Sequence, residues 1–124
     1  MYERILVGTD GSKTAAKAVD RAVVVATSAG ASLTVFSAAR PDKGEATVAA
    51  ELARHAGSGV AIDAKVVDAD PVSGLIDEAR DGQYDLLVVG NKGMTGLSRF
   101  FKPGSVPGKV SHHLPCSLLI VKTT

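Results

Sequence analysis

Short apolar runs alternate along this chain with segments whose apolar residues recur at helical spacing, and this alternation constrains the fold more than any other feature. Five runs predict strands, at residues 2–8, 31–38, 60–67, 85–90 and 117–122. Four segments predict helices, at residues 13–29, 45–56, 71–82 and 105–114. Strands that alternate with helices pair in parallel through crossover connections. The order therefore predicts an α/β fold with an open parallel sheet and helices on both faces.

Local signals mark several element boundaries. Ser12 is the predicted N-cap of the first helix, and Asp70 and Pro71 supply a cap and a first-turn proline for the third. The polar segment RPDKG, residues 40–44, predicts a loop before the second helix. The strand at 60–67 alternates only partly between apolar and polar residues, which favours a position at the sheet edge.

Length and composition indicate one domain. The chain has 124 residues and is 45% apolar, enough for one continuous core, so we expect a single domain over residues 1–124. The N-terminal segment lacks the signal-peptide pattern, and no stretch approaches the roughly 20 apolar residues of a membrane span. We therefore expect a cytoplasmic protein without membrane contact. The single cysteine, Cys116, lies in an apolar run and is expected to be a buried, inert thiol.

Charge is unevenly distributed although the net charge is only +1. No acidic residue follows Asp85. Five basic residues do follow it: Lys92, Arg99, Lys102, Lys109 and Lys122. The C-terminal third should therefore attract anions. A solvated basic face without a ligand is the alternative, whereas nucleic-acid binding is not expected because no recognition motif accompanies the charge.

A glycine-rich loop follows the fourth predicted strand. It runs for fourteen residues from Asn91 to Gly104, which is long for an idle connection. Gly90 and Gly93 can let a phosphate approach main-chain N–H groups, and Gly104-Ser105 opens a helix whose N-terminus favours anions. The pattern is not a Walker A sequence, because G-x-x-x-G-K is followed here by valine. A phosphate clamp is predicted, and a flexible surface loop is the competing interpretation.

The motifs GTDGS after the first strand, DLLVVG, G-x2-G, Gly104-Ser105 and the final LPCSLLIV together resemble the universal stress protein family over nearly the whole chain. The nucleotide-binding members of that family carry G-x2-G-x9-G-S/T, whereas ten residues separate Gly93 from Gly104 here. The segment between strands two and three is also shorter than is usual in the family. The resemblance implies the strand order 3-2-1-4-5 in a five-stranded sheet.

The resemblance further implies an adenine nucleotide between strands one and four: ATP most often, cyclic AMP in some relatives. Asp10 would lie near the ribose and a phosphate bridged by Mg or Mn, and Ala38 and Val67 near the base. The full implied set is Thr9, Asp10, Gly11, Ala38, Val67, Gly90, Asn91, Gly93, Gly104, Ser105 and Val106. From local sequence alone, Asp10 is equally well explained as a turn and cap residue.

Three functions remain open. The first is an ATP-binding, stress-response regulatory protein without efficient turnover, because no attacking group with a base is apparent. The second is a slow ATPase or autokinase, and the third is a structural dimer without a ligand. In each case the last strand, SLLIV, is expected to form an antiparallel homodimer, as relatives do. No metal site built from protein ligands is expected, since His112 and His113 are adjacent and would diverge on a helix.

Overall fold

A computed structural model describes residues 1–91 and 114–123 of the chain. Its elements in chain order are β1 (Arg4–Gly8), α1 (Lys13–Ala29), β2 (Ser32–Ala38), α2 (Pro41–Arg54), β3 (Ile62–Val67), α3 (Pro71–Asp81), β4 (Leu86–Gly90) and β5 (Ser117–Val121). The strands form one parallel sheet in the order β3-β2-β1-β4-β5. The predicted open α/β fold and strand order are confirmed. The helix predicted at 105–114 lies almost entirely outside the described residues.

Helices cover both faces of the sheet. On one face α1 and α2 pack against alternate strand residues such as Ile5, Val7 and Val35. On the other face α3 packs against the intervening residues, among them Leu6 and Phe36. Because successive strand side chains point to opposite faces, β1 contributes to both cores, and Ile5, Leu6 and Val7 have no exposed surface.

Most of the predicted boundaries agree with the structure to within two residues. The Ser12 hydroxyl oxygen accepts a hydrogen bond from the Ala15 N–H at 3.1 Å, and Gly30 ends α1 with φ at 67°. At α3, the Asp70 carboxylate accepts from the Ser73 N–H at 3.0 Å. The predicted edge position of β3 is also confirmed.

The predicted loop at 40–44 is wrong, because α2 begins at Pro41. Proline is pre-organised for the first helical position, and Asp42 places a negative charge near the helix N-terminus, where the helix dipole favours it. Glycine has a low helix propensity, but a Cβ at Gly44 would overlap a methyl group of Val66 in β3. The glycine therefore serves a close approach between helix and strand rather than a turn.

A polar cluster ties α3 to the sheet through a buried carboxylate. Glu78 forms an ion pair with Lys65 of β3, with 2.6 Å between Nζ and Oε1, and accepts a hydrogen bond of 3.0 Å from the Tyr84 hydroxyl. The Arg4 guanidinium lies over the Tyr84 ring, 4.8 Å from its centroid. The hydrogen bond to Glu78 raises the pKa of Lys65, and burial raises the pKa of Tyr84.

We predict that this cluster makes the fold sensitive to alkali. Both pKa values are raised in the folded state, so unfolding releases protons, and stability is complete below about pH 10 but falls as pH rises further. Tyr84→Phe should lower the free energy of unfolding at pH 7 by about 1–3 kcal/mol, because a buried carboxylate loses a donor. The variant should also show a shallower decline between about pH 10 and 11.5. Urea unfolding across this range measures both effects, with Tyr2→Phe, on the other face, as the control. Parallel pH profiles for Tyr84→Phe and the parent would contradict the prediction.

Candidate functional site

The candidate site lies at the carboxyl ends of β1 and β4. These strands are neighbours, with Val7 paired to Val88. From β1 the chain winds outward through β2 to β3, and then returns to the other side of β1 to form β4. The winding direction therefore reverses between β1 and β4, which is where ligands bind in open α/β sheets.

The turn after β1 is held by its own hydrogen bonds. Thr9 is buried; its N–H donates to the Phe36 carbonyl at 2.9 Å, and its hydroxyl oxygen accepts from the Gly11 N–H at 3.1 Å. Asp10 is exposed, and its Oδ1 accepts from the Ser12 N–H at 2.9 Å. The turn role considered for Asp10 is therefore present. This bond occupies one carboxylate oxygen and remains compatible with a ligand contact through the other.

Gly11 has φ at 85°, a conformation that residues with a Cβ rarely adopt. A Cβ at this position would also lie 3.2 Å from the hydroxyl oxygen of Thr47 in α2. The glycine thus meets two requirements: a left-handed backbone and a close approach of α2 to the β1 turn. The helix α1 starts directly after this turn and has no acidic residue in its first turn, which leaves its dipole favourable to anions.

The carboxyl ends of β2 and β3 lie at the same end of the parallel sheet as those of β1 and β4. Ala38 pairs with Val67, both are half-buried, and the Ala39 N–H donates to the Val67 carbonyl at 3.0 Å. Side chains here are small and apolar, which suits the flat face of a base rather than a charged group.

The end of β4 is joined to the residues that follow β5. Gly90 pairs with Val121, and the Asn91 N–H donates to the Val121 carbonyl at 3.0 Å. The Asn91 side-chain oxygen accepts two hydrogen bonds from Thr123, one from its N–H and one from its hydroxyl, each at 2.9 Å. The Nζ of Lys17 in α1 donates to the Thr123 carbonyl at 3.2 Å. Asn91 is therefore part of a network that links β4, β5 and α1.

Seven of the residues predicted from the sequence lie at or just after the carboxyl ends of the parallel strands β1 to β4: Thr9, Asp10, Gly11, Ala38, Val67, Gly90 and Asn91. Four others lie outside the described residues: Gly93, Gly104, Ser105 and Val106. The sequence analysis missed Thr47 and Thr123. Neither residue belongs to a recognisable motif, and each reaches the site through contacts distant in sequence.

Within residues 1–91 and 114–123, no group of three or more histidine, cysteine or acidic side chains could hold a metal ion. Over the same residues, no helix has the length and apolar character needed to span a membrane. Cys116 is half-buried, and burial raises the pKa of its thiol, which disfavours the reactive thiolate.

The strand order and the reversal of winding between β1 and β4 define an open, doubly wound α/β domain with a candidate ligand site at its topological switch point. The family model described as the universal stress protein family matches residues 1–53 and 39–122, and the chain belongs to this family. The two matched stretches share residues 39–53, which contain most of α2.

Individual relatives match over almost their full length. Universal stress protein Rv1636 of Mycobacterium tuberculosis is 34% identical over 146 aligned residues, which cover 99% of this chain and 98% of that protein. A crystal structure of a universal stress protein in complex with cAMP is 35% identical, with a TM-score of 0.80 and coverage of 99% of this chain and 98% of that one. A family member from Burkholderia pseudomallei is 25% identical with a TM-score of 0.73, covering 97% of this chain and 96% of its own.

We predict that Gly11→Ala destabilises the fold more than Gly59→Ala. Gly59 has a similar φ of 81°, but no atom lies within 4 Å of its would-be Cβ, so this control reports the cost of the backbone conformation alone, about 1–2 kcal/mol. Gly11→Ala adds crowding against Thr47. Urea unfolding measures both free energies. Adding Thr47→Ala should bring the Gly11→Ala cost close to that of Gly59→Ala, and equal losses in the two single variants would contradict the assigned contact.

Proposed function

We propose that this protein binds an adenine nucleotide at the crevice between β1 and β4 and acts as a stress-response regulator. The observation that carries the proposal is the meeting of Asp10, Gly90 and Asn91 at the switch point, with Ala38 and Val67 on the same sheet edge. The cAMP complex of a relative that is 35% identical over 99% of this chain supports the same class of ligand.

The side chains at the carboxyl ends of the strands suggest where the base, the ribose and the phosphates of the nucleotide would lie. The base would lie toward Ala38 and Val67, where the side chains are small and apolar. The ribose would lie near Asp10. The phosphates would lie beside Gly90 and the side chain of Asn91, whose main-chain N–H is already bonded to the Val121 carbonyl. The residues predicted from the sequence would complete this part of the site: Gly93, Gly104, Ser105 and Val106. Mg or Mn would be held chiefly by the phosphates, with the second oxygen of Asp10 as a nearby acidic ligand.

ATP and cyclic AMP are both candidates for the ligand. Whether bound ATP is also hydrolysed is a separate question, which a hydrolysis assay answers. Asp10 has no histidine in its turn, and His55 lies at the C-terminal end of α2, with its Nε2 3.0 Å from Asp20 Oδ1. That end of α2 leads toward the start of β3, away from the crevice. Binding without efficient turnover is therefore the proposed activity, with slow ATP hydrolysis or autophosphorylation as the alternative. A cytoplasmic location remains a prediction.

We predict that ATP or cyclic AMP raises the melting temperature of the parent protein and that Gly104→Val abolishes this rise. A valine side chain would block the approach of a phosphate to the main chain. Gly57→Val is the matched control, because no atom lies within 4 Å of a Cβ at that position. Ser105→Ala should weaken the response by removing one donor to the ligand. Phosphate release measured with the same samples tests turnover. A parent protein that binds neither nucleotide would refute the proposed function.

We also propose a homodimer through β5. This strand is at the sheet edge and pairs with β4 on one side. Ile120 in this strand is 42% exposed, and Val24 of α1, which is 57% exposed, lines the same surface depression as Val121. An edge strand with free N–H and C=O groups and few charges is a template for pairing with a second copy, and antiparallel pairing would satisfy the two-fold symmetry of a dimer.

We predict a dimer at micromolar concentration in light scattering, and its dissociation on Ile120→Lys. The substitution adds a charge on the pairing strand, which disfavours burial against a second copy. Ala50→Lys is the control, because Ala50 is an exposed residue on α2, away from β5. A monomeric parent, or a dimer that persists in Ile120→Lys, would contradict pairing through this strand.

A further inference from the structure

We propose that Thr123 is a positioning residue for the nucleotide site: it fixes the Asn91 side chain so that its NH2 group, rather than its carbonyl oxygen, is presented to an anionic ligand. This inference rests on the proposed function and deepens it. Thr123 belongs to no motif predicted from the sequence, and its connection to the site is seen only in the folded chain.

The orientation of the Asn91 amide follows from the chemistry of its partner. The main-chain N–H of Thr123 can only donate, so the Asn91 atom 2.9 Å away must be the carbonyl oxygen. The Thr123 hydroxyl lies 2.9 Å from the same oxygen and supplies a second donor. An amide oxygen has two lone pairs, and both are used here. The remaining hydrogen-bonding capacity of the Asn91 side chain therefore consists of the two donors on its NH2 group.

Thr123 is itself held in place, as a positioning role requires. It is 4% exposed, and its carbonyl accepts from the Lys17 Nζ at 3.2 Å. Two residues earlier, Val121 pairs with Gly90, and its carbonyl accepts from the Asn91 N–H at 3.0 Å. The segment after β5 thus meets the end of β4 through both main-chain and side-chain bonds, and the main chain of Thr123 is held on one side by Asn91 and on the other by Lys17.

The consequence for an anion is electrostatic. Phosphate oxygens accept hydrogen bonds, so a fixed NH2 group attracts them, whereas the reversed amide would present carbonyl lone pairs and repel them. An amide free to rotate would sample both orientations. Fixing it in advance avoids the ordering cost at the moment of binding. Thr123 should therefore affect the phosphate-dependent part of the affinity and leave the binding of an uncharged nucleoside unchanged.

The test measures the affinities of adenosine, AMP and ATP by calorimetry for the parent, Thr123→Val and Thr123→Ser. Valine has nearly the shape of threonine and keeps the N–H donor but lacks the hydroxyl, whereas serine keeps both donors. We expect Thr123→Val to weaken ATP binding by about three- to tenfold, with adenosine affinity unchanged and Thr123→Ser close to the parent. An equal loss for adenosine and ATP would overturn the proposal, because a merely structural role would affect both ligands.

A double-mutant cycle checks that Thr123 acts through Asn91. Asn91→Ala should weaken ATP binding, and adding Thr123→Val in that background should cause no further loss. Additive losses would overturn the proposal. If Thr123→Val does not fold, Thr123→Ala is the second variant, since it removes the hydroxyl without putting a methyl group in its place. It too must weaken ATP binding and leave the affinity for adenosine unchanged.

Failure of this inference is distinguishable from failure of the proposed function. If the parent binds none of the three ligands and no cyclic AMP, the proposed nucleotide function is wrong and the positioning role is rejected with it. If the parent binds ATP more tightly than adenosine and Thr123→Val retains the full difference, the nucleotide function stands and the positioning role alone is wrong.

Discussion

The hydrogen bonding of β1 to strands on both sides is the constraint on which the rest of the structure depends. β1 pairs with β2 on one side and with β4 on the other, and its central residues Ile5, Leu6 and Val7 have no exposed surface. A strand buried on both faces must be apolar throughout, so it cannot itself supply polar groups to a ligand. Polar function is therefore displaced to its carboxyl end, where the turn at Thr9 and Asp10 meets the end of β4.

Features of the fold that are encoded locally could be predicted from the sequence. The limits of α1 follow from Ser12 and Gly30, and the start of α3 follows from Asp70 and Pro71. The start of α2 could not be placed in the same way. By propensity, Gly44 indicates a loop. A glycine occupies this helical position because a Cβ there would overlap a methyl group of Val66, 22 residues further along the chain. Tertiary contact overrides propensity there.

The candidate site, too, could be predicted only in part from the sequence. Its position follows from topology, because parallel strands bring their carboxyl ends to one edge, and the family motifs identify Asp10, Gly90 and Asn91 on that edge. The side chains that contact these residues cannot be predicted from topology or from the motifs. Asn91 meets Thr123 across 32 positions of sequence, and Gly11 in the β1 turn approaches Thr47 of α2. Such pairs depend on side-chain packing between elements, and no periodicity or capping rule specifies them.

The helix α2 both returns the chain from β2 to β3 and approaches the turn after β1. The helix has 14 residues and β2 has seven, so they extend about 21 Å and 23 Å respectively. This helix, with the seven residues 55–61 that follow it, returns the chain from the end of β2 to the start of β3. The same helix places Thr47 against Gly11, so the element that returns the chain also supports the turn that carries Asp10.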